Sequence, residues 1–379
     1  MMLHVACLPF PSQQGTQAAL DAMLRASAQS GRSTHLLAYT RGAYQLEAPY
    51  EVHRIPDFPK VRSLRSGPSW GKVVLDLRCI AETRRLVRRL RPRAIVAHHI
   101  EAALAALAAR VTPVYYVAHT CVSEELPVYF PSLPANLVQG AARRVERIVC
   151  ANAEGVAAVA PSLAQLLGDG VRYLPVPWAV STGAHRPTRE EARAELGLSH
   201  GASVCLYAGN LDRYQGWEYL IEALVGLRRS HRHARLLIAT ESDPGPSMLL
   251  AKPLGVAGSV DFRRLDTERA RVLVHAAADL AWVPRRTVGG LPVKMLDAFA
   301  RNVPVVAMER ATAGLPLKDA CIAVPDDDAQ ALASAASRLL DDVCARASLQ
   351  KAARRYLETQ HSATAFASTM GALVAQRNA

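Results

Sequence analysis

Lysine is scarce in this sequence. Of 45 basic residues among 379, six are lysine and 39 are arginine. With abundant alanine, that bias reads as the mark of a GC-rich genome. The formal charge of +12 is therefore weak ground for a nucleic-acid partner. Zinc-finger spacing, an aromatic sheet motif and a helix-turn-helix are also missing, so no nucleic-acid partner is expected. Seven cysteines (Cys7, Cys79, Cys121, Cys150, Cys205, Cys321, Cys344) are scattered and never two residues apart. That excludes a disulfide scaffold and a CxxC zinc site, and suits a reducing cytoplasm. No run offers the roughly 18 apolar residues of a membrane span. No charged segment precedes the first apolar run, as it would in a signal peptide. Gly-x-Ser-x-Gly and GxxxxGK[ST] are both absent, which argues against a serine hydrolase and a phosphate-loop NTPase.

Half of the residues are hydrophobic and only 6% aromatic. That is enough for sizeable cores, and the length suits two domains. The first 120 residues alternate short apolar runs with helical patterns. Strands are expected at Leu3–Leu8, Thr34–Tyr39, Ala94–Ala97 and Val114–Ala118, and helices at Thr16–Ser30 and Glu101–Arg110. The alternation restarts at Ser203–Ala208 and runs to the helices Ala329–Leu340 and Leu349–Thr359. Such alternation predicts parallel sheets covered on both faces, with sites at the strand C-termini. A Pro- and Gly-rich stretch over Tyr173–Arg189, including Ser181-Thr182-Gly183, reads as the linker. The expected domains are 1–175 and 176–360, facing across a cleft.

Between Arg78 and Arg93 lie seven arginines and one acid, Glu82. Leu75, Cys79, Ile80, Leu86, Val87 and Leu90 share one helical face. This reads as a surface helix with solvated arginines outside. Arg84, Arg85, Arg88 and Arg89 would also attract anionic lipid head groups, so a peripheral position on the inner membrane face is a candidate location.

In Gly289-Gly290-Leu291-Pro292-Val293-Lys294, the glycines can bring bare amides to a ligand, and Pro292 suits a first helical turn. A helix N-terminus attracts anions, and Lys294 can reach the same anion. Asp297, one turn on, can accept hydrogen bonds from ribose hydroxyls. His98, His99 and Glu101 match no common helix-based zinc spacing, and no metal is expected.

Residues 289–300 with 302–307, and the phrase Tyr207-Ala208-Gly209-Asn210-Leu211-Asp212-Arg213-Tyr214-Gln215-Gly216, resemble family-4 retaining glycosyltransferases. The resemblance implies the GT-B fold: α/β, two Rossmann-like domains facing across a cleft. It implies a last helix (361–379) crossing back to the N-terminal domain. It implies a nucleotide-diphosphate sugar as donor, with UDP favoured and GDP-mannose second, and no cofactor. Gly15, Thr16, Asn210, Gln215, Gly289, Gly290, Leu291, Pro292 and Asp297 become donor-binding candidates. His119 and Lys294 become catalytic candidates. His99, Glu101 and Glu124 are candidates on the acceptor side, with a lipid or lipid-linked glycan among the acceptors. The chain departs from the family at Gly289 and Asp297, where glutamates are usual, and at Asn210 and Gln215, where basic residues are usual. Arg213, Arg285 or Arg286 are the candidates to replace that charge. The departures leave two other readings: a non-catalytic GT-B subunit, or a nucleotide-sugar epimerase.

Overall fold

The computed structural model describes residues 1–375 apart from 13, 41, 43–46, 57, 59–69, 111–112 and 180–186. The linker phrase Ser181-Thr182-Gly183 and the last four residues of the expected C-terminal helix lie outside the described residues.

The first half runs β1 (Met2–Pro9), α1 (Gly15–Gln29), β2 (Thr34–Tyr39), β3 (Glu51–Arg54), α2 (Trp70–Leu90), β4 (Ala94–His98) and α3 (His99–Ala108). It continues with β5 (Val114–Ala118), α4 (Val122–Tyr129), α5 (Ala135–Asn152), β6 (Gly155–Ala158), α6 (Pro161–Leu167) and β7 (Arg172–Tyr173). The second half runs α7 (Arg189–Glu195), β8 (Ser203–Ala208), α8 (Glu218–Leu227), β9 (Ala234–Ala239), α9 (Gly245–Ala251), β10 (Val260–Arg263), α10 (Glu268–Ala277) and β11 (Leu280–Val283). It ends with α11 (Val293–Ala300), β12 (Val305–Met308), α12 (Glu309–Thr312), β13 (Ile322–Val324), α13 (Ala329–Asp341), α14 (Val343–Gln360) and α15 (Ala363–Ala375).

These strands make two sheets. One has the order β3-β2-β1-β4-β5-β6-β7, the other β10-β9-β8-β11-β12-β13. Every paired strand is parallel. Strands β2, β4 and β5 are buried along their whole length. Helices must then cover both faces, which is why those strands read as unbroken apolar runs. Each sheet reverses its strand order beside its first strand, and such a switch point opens a crevice at the strand C-termini.

Helix α2 begins earlier than the arginine run and buries Leu75, Cys79 and Leu86, with Ile80, Val87 and Leu90 packed beside them. Its arginines are less free than their pattern implies. Arg84 donates to the carbonyls of Ala108 and Ala109, capping the C-terminal end of α3. Arg85 pairs with Glu82 at 2.5 Å. Helix α15 follows the second sheet in sequence but packs on α1 and β6 of the first. Tyr115 donates to the Val374 carbonyl at 3.1 Å. The two crossing strands of chain touch: the Trp178 amide donates to the His361 carbonyl at 2.8 Å, and the His361 ring bonds the Val176 carbonyl at 2.6 Å.

Candidate functional site

A cleft of about 620 Å³ lies between the two sheets. Two helix N-termini open into it. Gln14, Gly15, Thr16 and Gln17 of α1 stand on one wall, and Leu291 through Lys294 at the start of α11 on the other. Neither helix has a side-chain cap or an acidic residue in its first turn. The free N–H groups of α1 and the dipoles of both helices therefore favour an anion between them, although the Val293 and Met295 amides of α11 already donate to the Leu291 and Pro292 carbonyls. Pro292 sits just before α11 instead of inside its first turn.

Lys294 joins Arg271 and Arg285 as the basic side chains lining the cleft. Its Nζ donates to the Tyr207 hydroxyl at 2.9 Å and to Gln215 Oε1 at 2.7 Å, and lies 4.1 Å from the Tyr207 ring centre. Tyr207 in turn donates to the Asn210 carbonyl at 2.5 Å. The ammonium thus lies against the 209–215 loop, the segment in which Asn210 and Gln215 stand at usually basic positions. Glycine at 209 makes room for it, since a Cβ there would sit 3.1 Å from Lys294 Nζ. Burial and the neighbouring Arg285 push the Lys294 amine well below its ordinary range. A bound anion would reverse that shift.

The two glycines before α11 serve packing instead of lining the cleft. Neither stands on its wall. Gly290 has φ +83° and a Cβ there would fall 2.6 Å from the His119 carbonyl, so only glycine allows this approach. Arg285 holds the turn by donating to the carbonyls of Gly289 and Gly290 at 2.5 and 3.2 Å. Its guanidinium also lies 5.9 Å from the Tyr214 ring centre and 3.8 Å from Glu125 across the cleft seam. Burial raises the Glu125 carboxyl to about 7 despite that arginine. Arg285 lines the cleft; Arg213 does not, and Arg286 lies over the Tyr219 ring outside it.

His119 lines the cleft beside Thr120. Strands β1, β4 and β5 are neighbours, and His4, His98 and, one residue beyond β5, His119 form a chain. His4 Nδ1 meets His98 Nε2 at 2.9 Å, and His98 Nδ1 meets His119 Nε2 at 3.0 Å. Burial keeps all three rings neutral by lowering their pKa values, that of His4 to about 3. His4 Nε2 has no partner among the described residues. An orphan lone pair costs less than an orphan N–H, which places the proton on Nδ1 of each ring. His119 then offers Nδ1–H, and that atom has no partner among the described residues.

The cleft gathers Gly15, Thr16, His119, Asn210, Gln215, Leu291, Pro292, Lys294 and Asp297. It leaves out Gly289, Gly290, His99, Glu101 and Glu124. His99 stacks on His119 at 4.6 Å and so lies one ring behind the wall. Glu101 is exposed on α3. Glu124 turns toward α5, where Gln139 donates to it at 2.9 Å. Sequence reading missed Arg271, Glu241 and Ser242, which come from strand and helix ends with no local motif. Asp297 is on the wall but already engaged. Arg271 lies 3.2 Å from its Oδ2, and Arg301 bonds its Oδ1.

Two family descriptions match the chain in tandem. "Glycosyltransferase Family 4" covers residues 14–177, and "Glycosyl transferases group 1" covers residues 202–342. The chain belongs to the family-4, group 1 glycosyltransferases. Its fold is the GT-B fold. Sucrose-phosphate synthase from Thermosynechococcus elongatus superposes with a TM-score of 0.79 at 17% identity, covering 100% of this chain and 99% of that one. HepE from Anabaena, in complex with UDP-glucose, gives a TM-score of 0.75 at 14% identity, with 98% of each chain covered. Among curated relatives, the D-inositol 3-phosphate glycosyltransferase of Corynebacterium aurimucosum is 34% identical over 182 residues, which are 45% of this chain. The chain spans 42% of the length of that relative, and 32% of the corresponding protein of Segniliparus rotundus.

Proposed function

We propose that the chain transfers a sugar, with retention of anomeric configuration, from a nucleotide-diphosphate sugar to an acceptor hydroxyl. The observation that carries this reading is the anion site: two uncapped helix N-termini and the Lys294 ammonium converging on one cleft. Such fixed dipoles and charge stabilise a leaving diphosphate. The bond from anomeric carbon to phosphate oxygen breaks as the acceptor oxygen attacks the same face. The acceptor proton passes to the departing phosphate oxygen. His119, as a neutral donor, orients the sugar, and the Gly15–Thr16 turn faces the phosphates.

A UDP-sugar is the preferred donor, supported by the likeness to HepE, whose structure holds UDP-glucose. Thermal unfolding with UDP, GDP, ADP and TDP tests this. UDP at one hundred times its Kd is expected to stabilise by about 2.7 kcal/mol, and the others by less. A larger shift with GDP would move the donor to GDP-mannose. No shift with any nucleotide would overturn the reading in favour of a non-catalytic subunit. Release of a rearranged sugar without acceptor would make the protein an epimerase.

The acceptor reading is a lipid or lipid-linked glycan. None of the described helices is long and apolar enough to cross a membrane. Support comes from α5 more than from α2. Leu137, Val145 and Ile148 lie on one exposed face of α5, with Leu137 67% accessible, and Arg143, Arg144 and Arg147 beside them. Apolar side chains flanked by arginines fit an anionic lipid surface. Binding to anionic vesicles is expected to weaken with salt and with the triple change of Arg143, Arg144 and Arg147 to glutamine. Equal binding to neutral vesicles would refute it.

A further inference from the structure

Outside the cleft, one cluster of histidine and carboxylate donors stands out among the described residues. His35 of β2 pairs directly with Glu51 of β3 in the parallel register, and Leu37 pairs with His53. Residues paired across strands share a face, as do residues two apart on one strand. His35, Glu51 and His53 therefore project from one face at the open edge of the first sheet. Their donor atoms converge. His35 Nδ1 lies 3.1 Å from His53 Nε2 and 3.4 Å from Glu51 Oε2, and His53 Nε2 lies 3.9 Å from the same oxygen. None of the three residues lines the cleft.

We propose that His35, His53 and Glu51 form a site for a tetrahedral divalent metal ion, zinc by preference, that clips edge strand β3 to β2. The distances carry the argument. An ion with metal–ligand bonds of about 2.0–2.1 Å in tetrahedral geometry sets its ligands about 3.3–3.4 Å apart. The three separations bracket that edge length, so the donors already mark out one face of the tetrahedron. Two imidazoles and one carboxylate select zinc over magnesium or calcium, which take oxygen ligands. The fourth vertex belongs to water, because the Glu51 side chain is 71% accessible and the site opens outward. His35 is supported from behind: its other ring nitrogen, Nε2, lies 3.4 Å from Ser33 Oγ. Such outer contacts orient a ligating imidazole.

Among the described residues no other three histidine, cysteine or carboxylate donors lie within such reach of one another. The core histidines meet only in pairs, at 2.9 and 3.0 Å. The opposing charge near the edge site is Arg89 of α2, whose Nη2 lies 3.4 Å from His53 Nδ1. It is exposed and long enough to turn outward. Glu82 of α2 is held by Arg85.

The test uses the full chain without an affinity tag, stripped of metal and titrated with Co²⁺, then Zn²⁺. One equivalent of cobalt with the intense visible absorption of a tetrahedral centre is expected, and zinc should abolish that absorption. Glu51→Gln and His53→Ala should each weaken binding by at least about tenfold. Arg89→Ala should tighten it. The Glu51→Gln variant changes an exposed group, so its melting temperature without metal should match the parent. Absorption of unchanged strength in both ligand variants would place the ion elsewhere and overturn the proposal. Octahedral cobalt spectra, or no binding below millimolar cobalt, would overturn it equally.

Discussion

Replacing Lys294 by alanine is expected to lower turnover at least tenfold and to abolish stabilisation by nucleotide. The reasoning starts from charge. The 209–215 loop has neutral Asn210 and Gln215 where the resemblance leads one to expect basic side chains. In the structure the ammonium reaches that loop from α11 instead, ending 2.7 Å from Gln215 Oε1. A positive charge thus reaches that loop from the helix. A tenfold loss corresponds to only about 1.4 kcal/mol of transition-state support, a small demand on a charge facing a leaving diphosphate in a partly dry cleft. The steady-state constants separate two roles. Loss in kcat with little change in KM means that Lys294 acts on the developing charge. A rise in KM alone means that it holds the donor equally in both states. Wild-type turnover by the variant would remove Lys294 from the chemistry and favour a binding subunit. Lys294→Arg is a useful companion: the planar guanidinium is too bulky for the gap left by Gly209, so rescue should be incomplete.

The sequence made the architecture legible where strands were buried on both faces. Thr34–Tyr39, Val114–Ala118, Ser203–Ala208 and Leu280–Val283 coincide with observed strands. Their apolar runs have no other home in an α/β unit whose sheet is covered by helices on both faces. Strand β3 escaped notice because it is an edge: Glu51 and Arg54 are exposed, and its alternation is polar. Helix α5 escaped because its apolar residues divide between two faces: Ala142 and Val149 are buried, while Leu137, Val145 and Ile148 are exposed. In the site, residues next to a motif were found, and residues brought by long-range packing were not. Arg271 comes from α10 and Glu241 from the end of β9; nothing near either in sequence announces a ligand. At the glycine pair the structure supplies a steric reason that no motif carries: the His119 carbonyl approaches Gly290 too closely for a Cβ.

Removing the carboxylate of Asp297 is expected to cost about 3–5 kcal/mol of stability, because it takes the buried counter-ion from two arginines. Asp297 is 5% accessible, and its partners Arg271 and Arg301 are 6% and 10% accessible. Burial alone would raise the acid's pKa; Arg271, His275 and Arg301 outweigh it and hold the carboxyl below its usual value. His275, 3.7 Å from Oδ2, is itself pushed down to about 4 by burial and is neutral near pH 7. Asp297 is then the buried counter-ion of the two arginines, with the exposed Glu268 contacting Arg301 at 2.6 Å and Arg271 at 3.8 Å. The sign in pH follows from the depressed folded pKa. The contribution of Asp297 is complete above the unfolded value of about 3.9 and disappears as pH falls through the lower folded value. The gap between parent and Asp297→Ala in denaturant midpoint should therefore be constant from pH 5 to pH 8 and narrow only below about pH 4. A gap under 1 kcal/mol at pH 7 would show that water and Glu268 already serve the arginines. Asp297→Asn divides structure from binding. Should it fold as stably as the parent yet lose nucleotide stabilisation, the carboxylate acts on the ligand. Should it lose stability and keep its nucleotide response, Asp297 is the counter-ion that holds α10 against α11.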